Sequence, residues 1–499
     1  MTETSRRTLF KVGGAALVTA AAMRGGTAGA APDGRRTRPL GRHIAFGADP
    51  SKQVVISWQQ LEKVDGAYVR IATQAGNFGA PIAAEVRTLR SAIAWQKGDH
   101  SFPPHGPDPM YQYYLHVRLN DLQPDTTYFY VVGHRGYDPA TSKRRGEIAS
   151  FRTAPTSGKP FTFTAFGDQG YGYNARKLNS LVADNNPAFH LALGNLSYAI
   201  HGGTANVEGG HPDTDKYDAA RWNSLFVQNE PTAARVPWMI TLGNREMEEW
   251  YSPNGYGGVK ARVTMPDNAW SASTGIYAWR YQNVGLISLD GNDICSRNTA
   301  NLDYTKGKQL TWLEGQLKQF RKNPAIDFIV VYLHHATYST SDGGAESVAQ
   351  QKWAPVFDKY QVDLVLNAHN RVYERTDPIK AGKGTKKVAS RGTVNPAKDG
   401  TTYITAGAGG QALDKFYKDA PESYLDNENT SGTPTMRCYK KNSDKSTDTQ
   451  VTWSRVRYRG YSITAVDVTP KTGSTPARMK VRALDEDGVL IDEITVQRG

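Results

Sequence analysis

The chain has 499 residues, 39% hydrophobic and 22% charged, a globular composition with room for two to four domains. A net charge of +12 attracts anions such as phosphate esters or wall polymers, or serves solubility alone. The basic residues are dispersed apart from a Lys-rich patch at 380–391, and no fingerprint of a nucleic-acid-binding module is present. Two cysteines without a Cys-x-x-Cys pattern argue against a zinc cluster, and beyond the N-terminal segment no stretch of 18 apolar residues offers a membrane span.

Residues 1–31 read as a twin-arginine signal peptide. Arg6 and Arg7 precede a weakly apolar run over 12–22, and small residues allow cleavage after Ala30 or Ala31. The expectation is a soluble, secreted protein exported in its folded state. Residues 40–153 show period-two alternation in "QVVISWQQ", "AYVRIATQ", "QYYLHVRL" and "TYFYVVGHR", separated by turn residues, which predicts a β-sandwich. Tyr128 stands where a tyrosine corner would. Residues 154–160 form a Pro/Gly/Ser linker.

Over 161–435 the pattern changes to apolar strands alternating with helical spacing at 174–185, 306–323 and 346–361. This predicts an α/β domain with sandwiched sheets, and residues 451–499 read as a terminal β segment. Each strand run delivers a chemically capable residue at its end. These are Asp168; Asn195 and Tyr198; Asn244 and Arg245; His334 and His335; and His369, Asn370 and Arg371. Carboxylate, amide, phenol and imidazole groups on one sheet edge suit a divalent or trivalent metal, and two such ions about 3.5–4 Å apart can clamp a phosphoryl group. In an oxidising compartment Cys295 and Cys438 are expected to form a disulfide, within the chain or between two chains.

The motif order GD-x-G, GD-x-x-Y, GN-H-E, His, GH-x-H resembles that of the calcineurin-like metallophosphoesterases. Tyr198, the run "NAHNRVYERTDP" and the preceding sandwich narrow the resemblance to the purple acid phosphatases, across about 40–499. It implies a fibronectin-III-like N-terminal domain and a site in which Asp168 and Tyr198 hold iron while Asn244, His334 and His369 hold a second metal. Three positions depart from the family. Asn195 replaces the Asp that bridges both ions, Arg245 replaces the His that protonates the leaving group, and Arg371 replaces the last His ligand. Histidines that the family carries near Gly343 and Gly344 are absent as well.

A neutral amide supplies no bridging charge, and a guanidinium neither ligates a cation nor acts as an acid near neutrality. The expected metal set is therefore Asp168, Asn195, Tyr198, Asn244, His334 and His369, with one ion (Zn, Mn or Fe) rather than two, or none. Arg371 is expected to pair with Asp168 in place of the first metal. Arg245 and His335 stand at the catalytic positions, and Arg371, Arg245 and Asn370 at the substrate. The expected ligands are small phosphate esters, hydrolysed at reduced rate or bound without turnover; a third reading is a wall or matrix protein. No signal for oligomeric state is visible.

Overall fold

The computed structural model describes residues 38–91, 110–141, 147–200, 218–248, 255–270, 274–296, 301–418, 433–440 and 445–498; the segment read as a signal peptide lies outside them. Eight strands come first: β1 (Leu40–Phe46), β2 (Val54–Gln60), β3 (Tyr68–Ala72), β4 (Ile82–Ala83), β5 (Glu85–Ser91), β6 (Met110–Leu119), β7 (Thr127–Gly133) and β8 (Ala149–Arg152). They form two four-stranded antiparallel sheets, β1-β2-β6-β5 and β4-β3-β7-β8. Alternate residues such as Ile44, Ile56, Trp58, Val69, Leu115 and Tyr130 meet between them, as the period-two pattern requires. The Gln123 N–H donates to the Tyr128 hydroxyl at 2.9 Å, closing the corner before β7.

The second domain runs β9 (Phe161–Phe166), α1 (Tyr173–Asp184), β10 (Phe189–Ala192), α2 (Ala220–Ala233), β11 (Trp238–Ile240), α3 (Gly257–Arg262), β12 (Tyr277–Tyr281), β13 (Val284–Leu289), α4 (Lys308–Lys322), β14 (Phe328–Leu333), β15 (Ala345–Glu346), α5 (Ala354–Tyr360) and β16 (Leu364–Asn367). It continues through β17 (Tyr373–Thr376), β18 (Ile379–Lys380), β19 (Lys383–Gly384), β20 (Thr393–Val394), α6 (Pro396–Asp399), β21 (Thr402–Ala406), β22 (Thr435–Tyr439) and β23 (Ser446–Gln450). The chain closes with β24 (Ser454–Tyr458), β25 (Ser462–Thr469), β26 (Ala477–Asp485) and β27 (Leu490–Arg498).

Two seven-stranded mixed sheets result, β11-β10-β9-β25-β26-β27-β20 and β12-β13-β14-β16-β21-β17-β24. The strands of the second sheet are apolar on both faces because both are covered. Leu286, Val330 and Leu366 join the core shared with the first sheet, while Ile287, Val331 and Val365 pack with Leu313 and Leu317 of α4 and Phe357 of α5. The architecture is the expected sandwich followed by an α/β domain of two sheets with flanking helices. The terminal segment does not stand apart. β24 pairs with β17, and β25 inserts between β9 and β26.

The sandwich docks on the second domain through polar contacts over a continuous core. Glu230 of α2 accepts from Gly41 N–H at 2.8 Å and from Arg42 at 2.6 Å. His43 stacks on Phe226 and reaches the Arg262 carbonyl at 3.2 Å, and His116 Nε2 lies 2.9 Å from the Ala261 carbonyl. Both carbonyls close the last turn of α3.

Candidate functional site

Tight turns after parallel strands, three of them opened by a glycine (Gly167, Gly194 and Gly243), bring the functional residues to one edge. Asp168 follows β9, Asn195 follows β10 and Asn244 follows β11 in the first sheet; His334 follows β14 and His369 follows β16 in the second. The approach is close: a Cβ on Gly243 would sit 2.3 Å from Asn195 Oδ1. Asp168, Asn195, Tyr198 and His369 all have left-handed backbones, with φ of 56°, 53°, 53° and 65°. Four such residues in one site are strain concentrated where function resides.

Asn195 is the hub. Its Nδ2 donates to Asp168 Oδ1 at 3.0 Å and to Asn244 Oδ1 at 3.1 Å, and its Oδ1 accepts from the Arg245 N–H at 2.9 Å. The amide thus places its N–H groups between two oxygens. Asp168 is completed by the Tyr198 hydroxyl at 2.6 Å and the His369 N–H at 2.7 Å. Burial and the neighbouring Asp168 charge push the Tyr198 phenol well above its ordinary value, so it stays protonated. Beneath the hub, buried Glu246 accepts from the N–H groups of Asn195, Leu196 and Gly243 at 2.6–2.8 Å, and burial raises its carboxyl to about 7.

The expected ion pair between Arg371 and Asp168 is not formed. Arg371 is held by Asp414, which accepts from its guanidinium at 2.5 and 3.2 Å and from its N–H at 2.8 Å. Asp168 needs no guanidinium because three neutral donors already satisfy it. Arg245 lies over the Tyr198 ring, 4.3 Å from its centroid, and donates to the Ile200 carbonyl at 2.8 Å.

These groups line a cleft of about 360 Å³ together with Asp342, Gly343 and Arg437. Three expected site residues, His334, His335 and Asn370, do not line it; His334 is fully buried behind His369, with its ring centroid 5.1 Å from that of His369. Asn370 is fully buried, and its amide donates to the Gly344 carbonyl at 2.8 Å, supporting a turn rather than meeting a ligand. His335 is fully buried against His334 and His369, with ring centroids 5.1 and 4.8 Å away. The expected disulfide is also absent. Cys295 and Cys438 are buried thiols, 3.6 Å from Glu346 Oε1 and Gln350 Oε1 respectively. Glu246 stood in a recognised motif but had no role assigned. Asp414 lies in a run without periodicity, and Arg437 on an unremarkable polar strand, so neither gave a sequence signal.

The residues do not fit two ions. The bridging position points N–H groups at its neighbours, and a paired guanidinium stands at a ligand position. One ion fits better. His334 Nδ1 lies 2.7 Å from the Leu193 carbonyl, which only accepts, so the proton sits on Nδ1 and Nε2 carries the lone pair, which accepts a hydrogen bond from the His369 ring that an ion would have to replace. That Nε2 is 3.3 Å from His369 Nδ1. Two nitrogens sharing one tetrahedral ion at about 2.0–2.1 Å stand roughly 3.4 Å apart. Burial lowers the His334 pKa, which favours the neutral ligating form. Among the described residues no three acidic, imidazole or thiol groups converge on one point, and the Asn244 oxygen accepts from Asn195 Nδ2 at 3.1 Å.

Residues 39–153 match the purple acid phosphatase N-terminal domain, and residues 119–373, which begin within β6, match the calcineurin-like phosphoesterase domain. An uncharacterized protein of Mycobacterium tuberculosis is 31% identical over 447 residues, 81% of this chain and 78% of that one. Purple acid phosphatase 23 of Arabidopsis thaliana is 25% identical over 323 residues, 61% and 65% of the two chains. Among solved structures, a purple acid phosphatase from yellow lupin seeds superposes with a TM-score of 0.66 at 18% identity, covering 93% of this chain and 75% of that one.

Proposed function

The chain belongs to the calcineurin-like phosphoesterases of purple acid phosphatase type, and from that premise we propose that it is an exported phosphomonoester-binding protein that hydrolyses its ligands slowly with a single divalent ion. The observation that carries the one-ion reading is the 3.3 Å spacing of His334 Nε2 and His369 Nδ1, with the His334 tautomer set by the Leu193 carbonyl. Asn244, His334 and His369 would hold the ion. Bound there, a divalent cation supplies Lewis acidity toward a phosphoryl oxygen and a water of lowered pKa.

The chain's own residues account for the rest. Arg245 and Arg371 bring two permanent positive charges to the cleft and bind phosphate oxygens by charge-assisted hydrogen bonds. Neither can donate a proton to a leaving alkoxide near neutral pH, so the general-acid contribution, typically about 10²–10⁴-fold, is forfeited. Asp414 competes with phosphate for Arg371.

Binding without turnover is the second reading. The Asn195 amide favours it, because it satisfies Asp168 and Asn244 with no cation present. Elemental analysis combined with aryl phosphate hydrolysis at pH 5–7 separates the two. One ion per chain and slow hydrolysis support the first. Intact phosphate binding with neither ion nor hydrolysis supports the second. Two ions and ordinary turnover would refute both. Export belongs to the same proposal: replacing Arg6 and Arg7 by lysine is expected to retain the protein in the cytoplasm, measured by fractionation.

A further inference from the structure

We propose that Arg437 is the subsite for a second anionic group, so that the favoured ligands are phosphate monoesters whose organic part itself carries a phosphate or a carboxylate. This rests on the phosphate reading of the cleft. The wall at Gly343–Gly344 has no side chains and no space for any. A Cβ on Gly343 would meet Asn370 Oδ1 at 1.9 Å. On Gly344, whose φ is +72°, it would meet the Tyr439 ring at 2.7 Å and the Arg437 carbonyl oxygen at 2.9 Å. The backbone of β22 thus packs directly behind this bare turn, and its Arg437 side chain lines the cleft alongside Arg245 and Arg371.

Among the described residues no carboxylate forms an ion pair with Arg437, and its interaction with Asp448 is through space alone. Its guanidinium lies 3.7 Å from the centroid of the Tyr417 ring, and Nη1 is 3.5 Å from the Tyr439 hydroxyl, so its neighbours are neutral phenols. The cross-strand acid Asp448 is taken by Lys418 at 2.5 Å and by the Tyr417 hydroxyl at 3.1 Å. Among the described residues the buried Nε of Arg437 has no hydrogen-bond partner. Arg371, by contrast, already has Asp414. A planar guanidinium positioned by an aromatic face and lacking a counter-ion is suited to bidentate recognition of phosphate or carboxylate.

The test is calorimetric binding to the full exported protein with paired probes: fructose 1,6-bisphosphate against fructose 6-phosphate, and 2-phosphoglycerate against glycerol 2-phosphate. In at least one pair the doubly anionic member is expected to bind about 10–100-fold more tightly. Arg437→Gln should remove that advantage while changing the singly phosphorylated partner by less than about threefold, and Arg437→Lys should keep part of it. An unchanged unfolding midpoint checks that the variants fold. Equal affinity within both pairs, or equal weakening of both members by Arg437→Gln, would overturn the subsite while leaving the phosphate reading intact. Binding of none of the four probes would overturn both.

Discussion

Asn195 shows what exchanging one oxygen for one nitrogen does to a buried site. An aspartate there would face Asp168 Oδ1 and Asn244 Oδ1 at about 3 Å with a lone pair in place of an N–H. Only a cation or a proton relieves that contact. Asn195→Asp is therefore expected to lose about 2 kcal/mol or more of stability in chelator, and to regain it with zinc or manganese by a larger thermal shift than the parent protein shows. Indistinguishable midpoints in chelator would contradict this. Asp414 competes with anions for Arg371: Asp414→Asn releases the guanidinium, and inorganic phosphate should bind roughly 3–10-fold more tightly by calorimetry. Asp168, Asn195 and His369 were legible because each ends an apolar run at a glycine or small-residue turn. Asp414 was not, because its role depends on a chain fold that no local pattern encodes.

The loop between β10 and Tyr198 owes its shape to one carboxylate. Glu246 satisfies three buried N–H groups at once, so Glu246→Ala leaves all three without an acceptor. The expected loss is about 3–5 kcal/mol by chemical denaturation, with Glu246→Gln costing less because it keeps one oxygen. The strand ends and helices α1 and α4 follow the hydrophobic periods of the sequence. Helix α2 does not, because Pro231 and the buried amide of Asn229 interrupt its apolar stripe; packing of Trp222, Leu225 and Phe226 overrides weak local preference. The helical spacing over 346–361 resolves into a π turn at Ala349–Trp353 followed by α5, a local underwinding that apolar spacing cannot reveal.

Across the whole molecule, buried histidines tie stability to pH. Burial lowers His116, at the junction of the two domains, and His190, inside the second, to about 3 from an ordinary 6.5. The unfolded chain takes up protons below about 6.5 while the folded rings stay neutral. Their contribution is therefore complete above that pH and is lost as pH falls toward 3, at about 1.4 kcal/mol per pH unit for each ring. Burial of Glu246 and Asp290, raised to about 7 and about 6, acts in the opposite direction over the same range, so the ring is read by difference: in urea unfolding at pH 7 and pH 5, His116→Gln should lose less stability on acidification than the parent by one proton's worth. The sandwich and the sheet domain were readable from composition and periodicity, but their junction was not. The carbonyls of Ala261 and Arg262 that receive His116 and His43 belong to a short helix whose position only the assembled fold defines.

The insertion of β25 beside β9 also governs when the site can exist. The strand that presents Asp168 pairs with residues roughly 300 positions later, Ala165 opposite Thr464, which at about 5–20 residues per second is some 15–60 s of synthesis. Until then β9 has one edge open, and the cleft cannot assemble on the nascent chain. Assembly is thus a late, long-range event: the strand that presents Asp168 gains its second neighbour only once the terminal β segment has been made.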